Sequence, residues 1–180
     1  MWEDRLLLLK LKRGSAEAMQ RIYEKYKDDM LALAVALVHD RPTAEDALHD
    51  VFVALAEYAA NLNLRTNLRT YLSCCIANRV RKLKRVKPQS VGSVSQNETS
   101  RTDCAGPVHQ AMSAELMLHI DMAMAQLPYI QREVILLHVQ NSIKFKAIAE
   151  MHGVSINTVQ SRYRYGLDKL RQLLHVEVKA

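Results

Sequence analysis

At 180 residues the chain has room for one medium domain or two small ones, and its 49% hydrophobic share is enough to give small domains a core. Only five Gly and four Pro interrupt a sequence dominated by Leu, Ala, Met, Lys, Arg and Glu, which predicts an all-α protein and argues against a strand-based fold. A net charge of +6 and a pI near 9.3 point to a polyanionic partner.

The N-terminal run Leu6 to Leu9 is preceded by Glu3, Asp4 and Arg5 and followed by Lys10, Lys12 and Arg13. It is too short and too charged for a signal peptide or a membrane span, so a cytoplasmic protein without membrane insertion is expected. From Ser15 to Val38, Ala18, Ile22, Tyr26, Met30, Leu33 and Leu37 recur at helical spacing, with Ser15 as the N-cap. After the break at His39 to Pro42, Thr43 is expected to cap a second helix, with Asp46 closing an approximate capping box, and that helix should reach about Tyr58. It carries Glu45, Asp46, Asp50 and Glu57.

Residues 59 to 67 are rich in amide side chains and read as a structured loop. A third helix, about Leu68 to Val86, places Leu68, Leu72, Cys75, Ile76, Val80 and Leu83 on one stripe. The segment Leu64 to Lys87 contains Arg65, Arg69, Arg79, Arg81, Lys82, Lys84, Arg85 and Lys87 without one acid, so neighbouring helices should face different partners. Pro88 to Gln110 is polar with isolated Val91, Val94 and Val108, too few apolar groups to offset the entropy of ordering. The chain is therefore read as two small helical domains, 1–87 and 112–180, joined by a flexible linker at 88–111.

The second domain opens with an amphipathic stretch, Met112 to Gln126, then Leu127-Pro128 and a helix from about Tyr129 to Val139. Residues 145 to 169 read FKAIAEMHGVSINTVQSRYRYGLDK, the spacing of a helix-turn-helix. Ala149 permits close helix approach, Gly153 takes the positive φ of the turn, Val154 and Val159 fill the crease, and Ser155 caps the second helix. Ile148 and Leu167 extend the buried stripe. Asn157, Thr158, Gln160, Ser161, Arg162, Arg164 and Tyr165 are left as side chains able to reach base edges and phosphates. An ordinary αα-hairpin would share the helix, turn and helix, but not the joint register of Ala149, Gly153 and Val159 with an acid-free face up to Asp168.

The stretches LPYIQREVILLHV and IAEMHGVSINTVQSRYRYGLDKLRQLL resemble region four of the extracytoplasmic-function (ECF) sigma factors, with a leucine-proline start and a TV-x-SR recognition helix. TAEDALHDVFVAL is similar to the polymerase-binding helix of region two, and LRTYLSCCIANRVRKLKR to its promoter-reading helix. The resemblance covers about Ala16 to Lys87 and Met112 to Leu174. It implies an RNA polymerase sigma factor that directs promoter-specific initiation, recognises the −35 and −10 elements and aids melting.

The resemblance places Glu45, Asp46, His49, Asp50 and Phe52 on the clamp helices of the polymerase largest subunit, with the flap of the second-largest subunit as a further contact. It assigns Asn61, Asn63, Arg65, Asn67, Arg69, Tyr71, Asn78, Arg79, Arg81 and Lys82 to the −10 element, and Ser155, Asn157, Thr158, Gln160, Ser161, Arg162, Arg164 and Tyr165 to the −35 element. An anti-sigma factor is implied as another partner. The chain departs from the family pattern at Tyr71, Cys74 and Ala77, where Trp and Arg are frequent, at Ala56, where Trp is common, and at Lys144 and Lys146, where acids are frequent.

Two other readings stay open: a stand-alone regulator, which would bind a duplex operator alone, and a helical protein-interaction module. No phosphate loop, nucleophile elbow, paired carboxylates or metal-ligand spacing is seen, so neither enzymatic activity nor a cofactor is expected. His109, His119, His138, His152 and His175 are scattered. Cys74, Cys75 and Cys104 lack zinc spacing and suit a reduced compartment, with the adjacent pair read as small core residues.

Overall fold

The computed structural model describes residues 2–64, 66–86 and 107–177, and every regular element among them is helical. They divide into two compact units, one holding the helices up to Val86 together with 141–143, the other holding the remainder.

In the first unit, α1 (Trp2–Lys12) buries Leu7 and Leu11 and packs on α2 (Ala16–Val38). Lys25 on α2 donates to Glu3 Oε2 at 2.6 Å and to Asp4 Oδ1 at 2.8 Å, tying the two helices at their rim. The sequence reading did not find α1, because a run of four consecutive leucines hides the helical period. It did find α2: Ser15 Oγ accepts from Ala18 N at 3.3 Å, and Ala18, Ile22, Tyr26, Met30, Leu33 and Leu37 are all buried. The helix ends where His39 enters the left-handed region at φ 56°, its N–H donating to Val35 O at 2.7 Å.

The cap of α3 (Arg41–Tyr58) corrects the expectation. Asp40, not Thr43, is the N-cap: Asp40 Oδ2 accepts from Thr43 N at 3.0 Å, and Pro42 lies inside the first turn, where its missing N–H costs nothing. Ala44, Ala47, Leu48, Val51, Phe52 and Leu55 form its buried face. A 3₁₀ turn (Ala59–Asn61) follows, and α4 (Leu68–Val86) buries Leu68, Leu72, Ile76 and Val80 at a spacing of four. Helix α2 packs against α3 and α4, which also pack on each other. Cys75 and Leu83, expected on the buried stripe, are only half-buried, as is Cys74, because they sit at its edges.

The second unit begins with α5 (Pro107–Ala125), so the helix already occupies residues 107–111, which the sequence reading gave to the linker. The rest of that expected linker, 88–106, lies outside the described residues. Pro128 precedes α6 (Tyr129–Ile135), and a π-helical turn (Leu136–Gln140) replaces the straight continuation expected to Val139. Then come α7 (Phe145–His152) and α8 (Ile156–Glu177). Met124, Leu127 and Ile135 form a core covered by Ile120, Leu136, Tyr163, Leu167 and Leu170. Helices α5, α6 and α7 all pack against α8.

Gly166 allows α8 a close approach to α6. A Cβ there would stand 2.8 Å from Ile135 Cδ1 and 3.2 Å from Gln131 Cβ. Arg132 is buried, and its Nη1 donates to Ala125 O at 3.3 Å, satisfying the C-terminal end of α5. Burial pulls the Arg132 pKa below its ordinary value. His138, Phe145 and Tyr163 make an aromatic cluster, with His138 stacked on Phe145 at 3.9 Å between centroids and Tyr163 edge-on to both. No helix among the described residues is long and apolar enough to cross a membrane.

Candidate nucleic-acid interface

The α7–α8 pair has the geometry that the sequence spacing predicts. Ile148 and Val159 are fully buried and Ala149 nearly so, which brings the helices together. Gly153 sits at φ 65°, and its N–H closes the end of α7 on Ala149 O and Glu150 O. Val154, expected to plug the crease, is half-buried. Ser155 Oγ accepts from Thr158 N at 3.1 Å and lies 2.9 Å from Thr158 Oγ1. Ser155 Oγ thus caps α8, and Thr158 Oγ1 is bonded to that same hydroxyl.

Along the first turns of α8, Asn157, Gln160, Arg164 and Tyr165 are exposed and Ser161 is half-exposed. At 100° per residue Asn157, Gln160, Ser161 and Arg164 fall on one face. No acid interrupts it before Asp168, which is engaged by Arg171 at 3.2 Å. Arg162 is different: it lies on the flank, half-buried, with Nη1 3.2 Å from His152 Nδ1. Lys144 and Lys146, at the start of α7, are exposed.

In the first unit α4 and its preceding loop supply a second basic surface. Asn61 and Asn63 are exposed. Asn67 Oδ1 accepts from Thr70 N at 2.7 Å as the N-cap of α4, so that oxygen is not open to a base, and Arg65 lies outside the described residues. Arg69 pairs with Asp29 at 3.1 Å. Tyr71 is half-buried with its hydroxyl directed at Cys75, and burial raises its phenol pKa to about 12. A fully presented stacking platform is not what the fold provides at Tyr71.

Further along α4, Asn78, Arg81, Lys82 and Arg85 line a shallow depression, with Arg81 Nη1 donating to Asn78 Oδ1 at 3.2 Å. Arg85, counted in the basic segment but not among the residues assigned to the −10 element, joins them in this depression. Arg79 turns away from this group. Its Nε donates to Asp50 Oδ2 at 2.7 Å on α3, and Nη2 pairs with the same oxygen.

On α3, Glu45, Asp46 and His49 are exposed, with Glu45 accepting from Arg41 Nε at 2.8 Å. Phe52 is a correction. Placed by the resemblance with these residues on the clamp helices, it is 4% exposed and packs edge-on against Tyr23 at 5.0 Å, because four residues after Leu48 it falls on the core side of the helix. Among the described residues no group of His, Cys, Asp and Glu is arranged to hold a metal ion.

Comparison with known proteins identifies a family for both parts of the chain. The family model for sigma-70 region 2 matches residues 22–87, and that for sigma-70 region 4 matches residues 118–170. The chain is 24% identical over 161 residues to the RNA polymerase sigma factor CarQ of Myxococcus xanthus, covering 89% of this chain and 91% of CarQ. It is 23% identical over 173 residues to the ECF RNA polymerase sigma factor SigW of Bacillus subtilis, covering 91% and 92%. Among solved structures, the fold is similar to CnrH in complex with the cytosolic domain of CnrY, with a TM-score of 0.68 and 19% identity over 97% of this chain and 98% of that one. It is also similar to the sigma factor RpoE in complex with the anti-sigma factor NepR from Bartonella quintana, with a TM-score of 0.65 and 21% identity over 87% and 96%.

Proposed function

Because the chain belongs to the sigma-70 family, as an RNA polymerase sigma factor of the extracytoplasmic-function class, we propose that its two units divide the work of promoter recognition. Residues 112–180 read the −35 element through α8, and residues 1–87 bind core polymerase through α3 and the −10 element through α4 and the loop before it. The observation that carries this reading is the acid-free polar face of Asn157, Gln160, Ser161 and Arg164 at the capped start of α8. A helix presented in this way can enter a major groove and offer hydrogen-bonding side chains to base edges.

The depression of Asn78, Arg81, Lys82 and Arg85 supplies positive charge to a phosphate backbone, and exposed Asn61 and Asn63 carry the amide chemistry to hold an extruded base. Strand separation then draws on binding energy alone. On α3 the exposed Glu45, Asp46 and His49 offer a polar docking face to the polymerase clamp helices, and the flap of the second-largest subunit receives the second unit. An anti-sigma protein is proposed as a partner, since the similar fold RpoE from Bartonella quintana is in complex with the anti-sigma factor NepR, and the cytoplasm as the site of action.

Transcription by core polymerase on a library of host promoters, with and without the purified chain, tests the reading. Initiation from a defined subset only when the chain is added is expected. Specific duplex binding by the chain alone, with no effect of core enzyme, would overturn it.

A further inference from the structure

Three polar side chains in the second unit stand in line across α6, α7 and α8. Glu133 is completely buried, and its Oε2 lies 3.4 Å from His152 Nε2; the His152 side chain is itself 5% exposed. On the opposite side of the ring, His152 Nδ1 lies 3.2 Å from Arg162 Nη1. A guanidinium only donates, so His152 Nδ1 must be the acceptor. The ring proton then resides on Nε2, the nitrogen facing the Glu133 carboxylate, which favours that tautomer.

We propose that His152 is a positioning residue for DNA recognition: with the Glu133 carboxylate facing its far nitrogen at 3.4 Å, a charge contact too long for a hydrogen bond, it fixes the guanidinium of Arg162 on the flank of α8 as a preset phosphate clamp. The inference rests on α8 being the DNA-reading helix. Asn157, Gln160, Ser161 and Arg164 occupy the face that points into the groove, while Arg162 lies roughly 140° around the helix from Asn157, on the side where a groove-bound helix meets a phosphate wall. With one N–H spent on His152, Arg162 keeps its other donors for phosphate oxygens. A long side chain ordered in advance loses less entropy when DNA arrives.

The test uses the full chain with core polymerase on a cognate promoter, titrated with salt. Arg162→Ala is expected to lower the salt slope of binding by about one phosphate contact. His152→Leu keeps the charge and therefore the slope, but weakens binding about threefold to tenfold, the fold-change matching the cost of ordering one long side chain. In an Arg162→Ala background His152→Leu should add no further loss, and His152→Asn, whose Oδ1 falls close to the position of Nδ1, should restore binding.

A His152→Leu loss that persists without Arg162 would reduce His152 to a structural residue and overturn the proposal, as would wild-type binding by His152→Leu. If Arg162→Ala leaves binding and salt slope unchanged, the DNA reading at this flank of α8 has failed instead. Should His152→Leu not fold, Asn against Gln decides: Gln carries its carbonyl to the Nε2 side and should bind less well than Asn, and equal binding would overturn the inference.

Discussion

Arg79 on α4 donates from Nε to Asp50 on α3 at 2.7 Å, so a residue assigned to DNA and a residue assigned to polymerase hold each other. Both side chains are about two-fifths exposed, which limits the pair to roughly 0–1 kcal/mol of stability. Asp50→Asn should therefore cost at most about 1 kcal/mol in urea unfolding. With its partner gone, Arg79 becomes available to phosphate, and the salt dependence of promoter binding by the holoenzyme should steepen. An unchanged slope would confine Arg79 to an internal tie.

Arg164 is exposed at the centre of the reading face. Arg164→Ala and Asn157→Ala should each reduce initiation from a cognate promoter while leaving association with core polymerase intact. Footprints of the two variant holoenzymes should lose protection upstream first, and undisturbed protection there would count against the face as drawn.

The hydroxyl of Ser155 satisfies the N–H of Thr158, and its loss exposes that cost directly. Ser155→Ala should destabilise the second unit by about 1 kcal/mol, as for other caps. Ser155→Asp, which retains a capping oxygen, should recover the loss in thermal unfolding. If both variants melt like the parent, the cap does not limit stability.

The contact of α8 with α6 at Gly166 has no space for a side chain. Gly166→Leu should force the helices apart at a cost of about 1–3 kcal/mol, measurable in denaturant titration.

Burial holds the phenols of Tyr26 and Tyr71 at pKa values of about 12. The fold keeps both protonated where the unfolded chain would release them, so stability is fully present below pH 10 and falls as pH rises towards 12. Urea midpoints measured across that interval should fall as phenolate absorbance rises, and a midpoint that climbs would contradict the burial of these rings.

The helix-turn-helix was legible because its rules act locally: Ala149, Gly153 and Val159 each meet a requirement set within ten residues of sequence. The same holds for Ser15 and the α2 stripe. What was hidden depended on contacts that spacing does not encode. Phe52 sits beside acids in sequence, yet the helical turn carries it to Tyr23 and into the core. Glu133 would ordinarily be placed on the surface, and only the packing of both α6 and α7 on α8 brings it to His152. Asp40 displaced Thr43 as a cap because Pro42 suits the first turn of a helix that begins at Arg41.

At 22 residues, α8 is an unbroken rod of roughly 33 Å. Its leading turns carry the face proposed to read the −35 element, while Leu167 and Leu170 further along pack against the core of the second unit. Aim is thus set from behind, like that of a tiller. On the proposed reading, an exchange of one aliphatic shape for another against Leu170 would swing the leading end without altering a single side chain on the reading face.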